Sequence, residues 1–224
     1  VIRQLTSTAS SPHYSSIQFI YSAGGWSADS RRIAVATVSG GRPAIAIFDG
    51  ESGDRVRDLR IPGVDEVFNP TWSPDSQRLA FTAMTRGLTD LFVVDLASGD
   101  VRALTNDAYA ELQPAWAPDG RSIAFATDRF SSQLDQLAIG HVRLARVDPA
   151  TGVVTQIGGF RDGKNINPQW SADGRTLYFI SDQNGISNLA RIGVDGSQPT
   201  LVTNLATGIS GITATSPALS VATT

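Results

Sequence analysis

The chain has 224 residues, 41% of them hydrophobic and 17% charged, with a formal net charge of -3 and a pI near 5.3. That balance argues against a nucleic-acid binder, which would show a basic stripe. Cysteine is absent, which excludes a disulfide framework, a thiol nucleophile and cysteine metal sites. Lys164 is the only lysine, and no polybasic cluster or apolar run of about 20 residues suits the chain for a membrane.

In chain order, Val1-Ile2-Arg3-Gln4-Leu5-Thr6 lacks the apolar core of a signal peptide. It reads instead like Val101-Arg102-Ala103-Leu104-Thr105, the closing strand of a later repeat. The repeat itself is clearest at Asn69-Pro70-Thr71-Trp72-Ser73-Pro74-Asp75. It returns at Gln113-Pro114-Ala115-Trp116-Ala117-Pro118-Asp119 and at Asn167-Pro168-Gln169-Trp170-Ser171-Ala172-Asp173, with a weaker copy around Trp26. The four tryptophans are 46, 44 and 54 residues apart. A period in the mid-forties fits a four-stranded propeller blade.

Each unit has the same grammar. An inner strand A ends on the tryptophan. A turn built on Pro-Asp or Asp-Gly follows, because proline presets φ and Asp or Gly tolerates the next position. Strand B is a short apolar run such as Leu79-Ala80-Phe81 or Ile123-Ala124-Phe125, which suits burial on both faces. Strand C leads to a Gly-containing turn at Gly53, Gly99, Gly152 or Gly196, and strand D closes the unit. The fold class is therefore all-β, a β-propeller of four-stranded antiparallel blades. The boundaries are 16–61, 62–106, 107–159 and 160–204, with a strand D at 1–15 and a strand A at 205–224 from partial blades. A small closed ring with one degenerate blade is the alternative.

Trp116-Ala117-Pro118-Asp119-Gly120-Arg121 with Thr127-Asp128, and Trp170-Ser171-Ala172-Asp173-Gly174-Arg175 with Ser181-Asp182, resemble the TolB-type, WD40-like propeller repeat of bacteria. The resemblance covers nearly the whole chain. The first unit departs from it, with Ser39-Gly40-Gly41 in place of the Ser-Asp pair. It implies a periplasmic or secreted protein that binds a protein or peptide partner. Similar repeats also form the non-catalytic propellers of larger peptidases, and occur in chains ending in an outer-membrane barrel.

One unit breaks the spacing. From tryptophan to the C–D glycine there are 27, 27 and 26 residues in three units, but 36 from Trp116 to Gly152. The extra residues fall between strands B and C, around Arg129 to His141. In a four-stranded antiparallel blade the B–C and D–A connections share one rim. Insertions in repeat proteins collect on the binding face, although a tolerated surface loop is the simpler reading. The candidate binding residues on this rim are Asp65, Glu66, Glu111, Arg129, Phe130, Gln133, Asp135, His141, Lys164 and Asn165.

No catalytic residue, metal site or cofactor is expected. His13 and His141 are far apart, and no H-E-x-x-H, G-x-S-x-G or phosphate loop occurs. Asp29, Asp75, Asp119 and Asp173 recur at one place in the unit, which points to turn chemistry. The tryptophans recur in one strand, which points to packing between blades. A channel-site hydrolase or lyase using Glu111 is the remote alternative.

Overall fold

The computed structural model describes residues 13–17, 22–212 and 217–222. These form four antiparallel sheets stacked side by side. The first contains β1 (Tyr14–Ile17), β2 (Gly25–Trp26), β3 (Arg32–Ser39), β4 (Arg42–Asp49) and β5 (Arg55–Arg60). The second runs β6 (Glu66–Trp72), β7 (Arg78–Thr85), β8 (Leu88–Asp95), β9 (Val101–Ala103). The third is β10 (Glu111–Trp116), β11 (Ile123–Thr127), β12 (Arg143–Val147), β13 (Val154–Gly158), and the fourth β14 (Asn165–Trp170), β15 (Thr176–Ser181), β16 (Asn188–Gly193), β17 (Thr200–Leu201). Strand order within the last three sheets follows chain order.

Each inner strand ends on its tryptophan, and the aspartate three residues later shapes the turn. In the second blade the Ser73 hydroxyl donates to Asp75 at 2.5 Å, and Asp75 accepts the Gln77 amide at 3.0 Å. The same pair forms at Ser27–Asp29 and Ser171–Asp173. These hydroxyl and amide donors hold Asp29, Asp75 and Asp173 below the ordinary carboxylate range. The third blade has Ala117 instead, so Asp119 keeps only the Arg121 amide, at 2.9 Å.

The inner strands share a second feature. Pairing of β6 with β7 slips between Phe68 and Thr71, and β10 and β14 slip at the matching place. The residue before the proline there lies in the left-handed region: Asn69 at φ 49°, Gln113 at 54° and Asn167 at 56°. This bulge turns backbone amides away from the sheet and toward the preceding blade. The Asn69 amide donates to the Ser22 hydroxyl, and the Asn167 amide to the Gln113 side-chain oxygen, both at 2.7 Å. The Asn167 side-chain oxygen in turn accepts the amides of Ala218 and Leu219, at 2.6 and 2.7 Å. Residues 217–222 thus lie against the fourth inner strand, without forming a strand themselves. The expected strand at 2–6 lies outside the described residues, as does Ser216. The strand Tyr14–Ile17 joins the first sheet, pairing with β3.

Apolar strands fill the space between blades. Phe81, Phe125 and Phe179 are fully buried, one in the B strand of each of the last three blades. Leu79, Phe81 and Trp72 pack with Ala34, Ile45 and Leu59 of the first blade. Trp170, Leu177 and Phe179 pack with Ala115, Leu144 and Ile157 of the third. Burying one such large side chain stabilises by roughly 1.5–3 kcal/mol. The indole nitrogens add direction: Trp72 donates to the Gly25 carbonyl at 2.8 Å and Trp170 to the Ala115 carbonyl at 2.9 Å. Trp116 differs, since its nitrogen is buried without a partner and the Arg78 guanidinium lies 4.7 Å over its ring. Trp26 corrects the packing expectation. It is 50% exposed where its three siblings are 6–7% exposed, because no described blade covers that face of the first sheet.

Candidate functional site

The B–C and D–A connections meet on one rim, and the third blade makes that rim uneven. The second blade turns from β7 to β8 through Arg86-Gly87 alone, both at positive φ. The third uses residues 128–142. This long loop contains one turn of 3-10 helix (Leu134–Gln136) and a backbone bridge between Gln133 and Ala138.

Its base is tied down by charge. The Arg129 guanidinium pairs with Asp107 of the preceding D–A connection, and lies 3.2 Å from Glu111 of β10. It also stands 5.3 Å over the Tyr109 ring. Glu111 has no solvent exposure. Thr105 donates to its other oxygen at 3.2 Å. Burial, followed by the nearby Asp107 charge, pushes the Glu111 carboxyl up to about 8, with Arg129 opposing. Asp90 is also raised, chiefly by burial, and it accepts the Asp107 amide at 3.2 Å. The group is a compact acid cluster around one arginine.

A second set of aspartates braces the two kinds of connection against each other. Asp65 accepts the Arg86 amide at 2.7 Å. Asp128 accepts the Ala110 amide and Asp182 the Lys164 amide, each at 2.8 Å. Lys164 also reaches Asp182 with its ammonium, at 3.4 Å.

The candidate binding residues therefore divide into four places. Asp65 and Glu66 sit where the first and second blades meet. Glu111 and Arg129 touch each other at the loop base. Phe130, Gln133, Asp135 and His141 belong to the long loop, with Phe130, Gln133, Asp135 and His141 all exposed. Lys164 and Asn165 lie one blade further on. Asn165 is fully buried, and its amide donates to the carbonyls of Val142 and Phe160 while its oxygen accepts the Phe160 amide. Glu111 and Asn165 present no side-chain surface to a partner; they lock loops in place. The sequence pattern does not single out Asp90 and Asp107, nor Leu137 and Ile139, the two large aliphatic residues exposed on the long loop. The aliphatic run Leu137-Ala138-Ile139 inside the insertion was the available signal for the latter.

Elsewhere, a cleft of about 940 Å³ follows the inner strands past Gly25, Pro70, Pro114, Gln169 and Leu219. At the first blade His13 pairs with Asp58 and lies 3.4 Å from the Ser39 hydroxyl. Both contacts use the same ring nitrogen, Nε2, so the group does not have the geometry of a proton relay, in which the serine and the acid bind opposite nitrogens. Among the described residues no group of three or more His, Cys, Asp or Glu is placed to hold a metal ion.

Stacked four-stranded sheets with inner strands along a common cleft define a β-propeller repeat protein, with its irregular loops gathered on one rim. Residues 14–221 match the TolB beta propeller domain family, PD40, and the chain belongs to it. A curated relative, the uncharacterized protein Atu1656 of Agrobacterium fabrum, is 33% identical over 93 residues, which is 42% of this chain and 28% of that protein. The crystal structure of TolB from Acinetobacter baumannii superposes with a TM-score of 0.65 at 25% identity, covering 80% of this chain and 42% of that one. A puromycin hydrolase structure superposes with a TM-score of 0.64 at 20% identity, covering 87% of this chain and 32% of that one, a likeness of fold alone. The chain thus spans less than half the length of each of these relatives.

Proposed function

We propose that the chain is a non-catalytic, protein- or peptide-binding scaffold of TolB type, acting in the periplasm or outside the cell. Its contact face is the rim formed by the D–A and B–C connections. The observation that carries this reading is the long loop at 128–142. It is the largest departure from the repeat, and its base is secured by the half-buried Arg129–Asp107 ion pair and by the hydrogen bond from Arg129 to buried Glu111. Loops held by a rigid scaffold are where binding residues concentrate. The buried acids of the rim are engaged with Arg129, Thr105 and backbone amides, which suits support of a loop better than turnover of a substrate.

The test is a photo-crosslinking scan in the source cells. The crosslinking amino acid p-benzoylphenylalanine is placed at Arg86, Phe130 and Arg161 on this rim, and at Ser52, Ala97 and Ala150 on the opposite one, all exposed positions. Discrete adducts from the first set alone are expected. Adducts confined to the second set would refute the assignment.

A second reading is a propeller module that gates substrate access to a larger peptidase. The fold shared with puromycin hydrolase favours it. A G-x-S-x-G motif in the same open reading frame, and peptidase activity that depends on its serine, would establish this alternative.

A further inference from the structure

Above its base, the long loop spends its polar groups on itself. The Asp128 carboxylate accepts the Ala110 amide at 2.8 Å and the Ser132 hydroxyl at 2.7 Å. The Ser131 hydroxyl donates to the His141 carbonyl at 2.5 Å, and the Gly140 amide to the Ser132 hydroxyl at 3.0 Å. Gln133 and Ala138 exchange backbone bonds of 2.8 and 3.1 Å. The 3-10 turn closes on Leu137, whose amide donates to the Leu134 carbonyl and whose φ is 54°. A leucine in the left-handed region is uncommon and needs its surroundings to hold it there.

What this framework projects is apolar. Leu137 is 89% exposed and Ile139 72%. They stand two residues apart at the tip of a loop whose every nearby hydrogen bond is internal. A slack loop would fold such side chains inward to reduce contact with water. This one is braced so that they remain outside.

We propose that Leu137 and Ile139 form an apolar knob that enters a hydrophobic cleft on a protein partner, and that a lysine or arginine at the edge of that cleft meets Asp135. The proposal rests on the rim being the contact face and names the part of it that does the binding. Charge selects protein over lipid. From Phe130 to His141 the ionisable side chains are Asp135 and His141. The guanidinium at the base, Arg129, is already committed to Asp107 and Glu111. An anionic bilayer would repel Asp135, and no lysine or arginine between Phe130 and His141 offsets that repulsion at the tip. A small exposed aliphatic pair with one carboxylate beside it suits a pocket with an apolar floor and a cationic lip.

The experiment uses crosslinkers at Arg86 and Arg161, which flank the loop without belonging to it. Adduct yield is compared between the parent, Leu137→Ser/Ile139→Ser, and Asp135→Lys. The expected result is at least a tenfold loss in the double variant and a clear loss in Asp135→Lys, with thermal midpoints unchanged. Adducts of the same mass and undiminished yield in the double variant would overturn the knob and leave the rim assignment standing. Absence of any adduct from either position in the parent would remove both. In parallel, the purified protein is sedimented with vesicles of equal parts phosphatidylcholine and phosphatidylglycerol. Co-sedimentation that disappears in the double variant would overturn the proposal in favour of a lipid surface.

Discussion

The backbone amide of Asn167 donates to the side-chain oxygen of Gln113 at 2.7 Å, joining the inner strands of the third and fourth blades at the point where each strand bulges. Gln113 is 1% exposed, so the bond is sheltered from water. Truncating it leaves a buried amide without this acceptor, which costs about 1–3 kcal/mol. Gln113→Ala is expected to lower stability by that amount in a denaturant titration. Glutamate at this position should fare worse, because it would bury a charge.

Glu111 makes stability depend on pH. Its folded carboxyl stands at about 8 against an ordinary 4.5. The native state therefore holds the proton more tightly than the unfolded chain, and native stability falls as pH rises between those values. Glu111→Gln removes this dependence. The thermal midpoint of the parent should drop more than that of the variant between pH 5 and 8.5. The difference is on the order of a few kcal/mol at most. Parallel curves for the two proteins would show that Glu111 is ionised throughout.

Ala117 leaves the third A–B turn short of bonds its siblings make. Ser27, Ser73 and Ser171 each donate to the turn aspartate and accept an amide five residues on. Ala117→Ser should restore both contacts with Asp119 and Ser122 and stabilise by about 0.5–1.5 kcal/mol. A raised denaturation midpoint with an unchanged slope is the readout.

Gly140 lets the long loop close. A Cβ built there would lie 2.3 Å from the Ser131 carbonyl oxygen, which is too close for any side chain. Gly140→Ala should open the loop without unfolding the blades. Limited proteolysis should then cut within 130–141 well before the parent is cut, while the global melting transition hardly moves.

Trp26 supplies a spectroscopic check on the first blade. Acrylamide quenching should show one accessible indole and three shielded ones. Trp26→Phe should remove the accessible fraction and leave the remaining emission blue-shifted.

The blade architecture was legible because it is written once per unit. The tryptophan ruler, the turn aspartates and the C–D glycines each recur at a fixed place, and all carry local chemistry that a single strand or turn expresses. The cluster around Arg129 is not written that way. Five residues before the tryptophan the chain reads Val67, Glu111 and Asn165, so no repeated residue type marks that place. Glu111 and Asp107 meet Arg129 only once the D–A and B–C connections converge. Length alone revealed the insertion at 128–142. That it is internally bonded, with Leu137 and Ile139 turned outward, follows from backbone geometry that spacing does not encode. Trp26 shows the complementary limit: the Ser27-Ala28-Asp29 turn after it matches its siblings, but burial depends on what packs over it.

The bonds between inner strands have a consequence for how the protein is made. In all of those described, an earlier blade supplies the acceptor and a later residue the donor: Ser22 and Gly25 toward Asn69 and Trp72, Gln113 and Ala115 toward Asn167 and Trp170, Asn167 toward Ala218 and Leu219. Chains emerge from the ribosome amino end first and fold unit by unit. A blade completed first therefore already carries the inner-strand acceptors that the amide and indole of the following blade use.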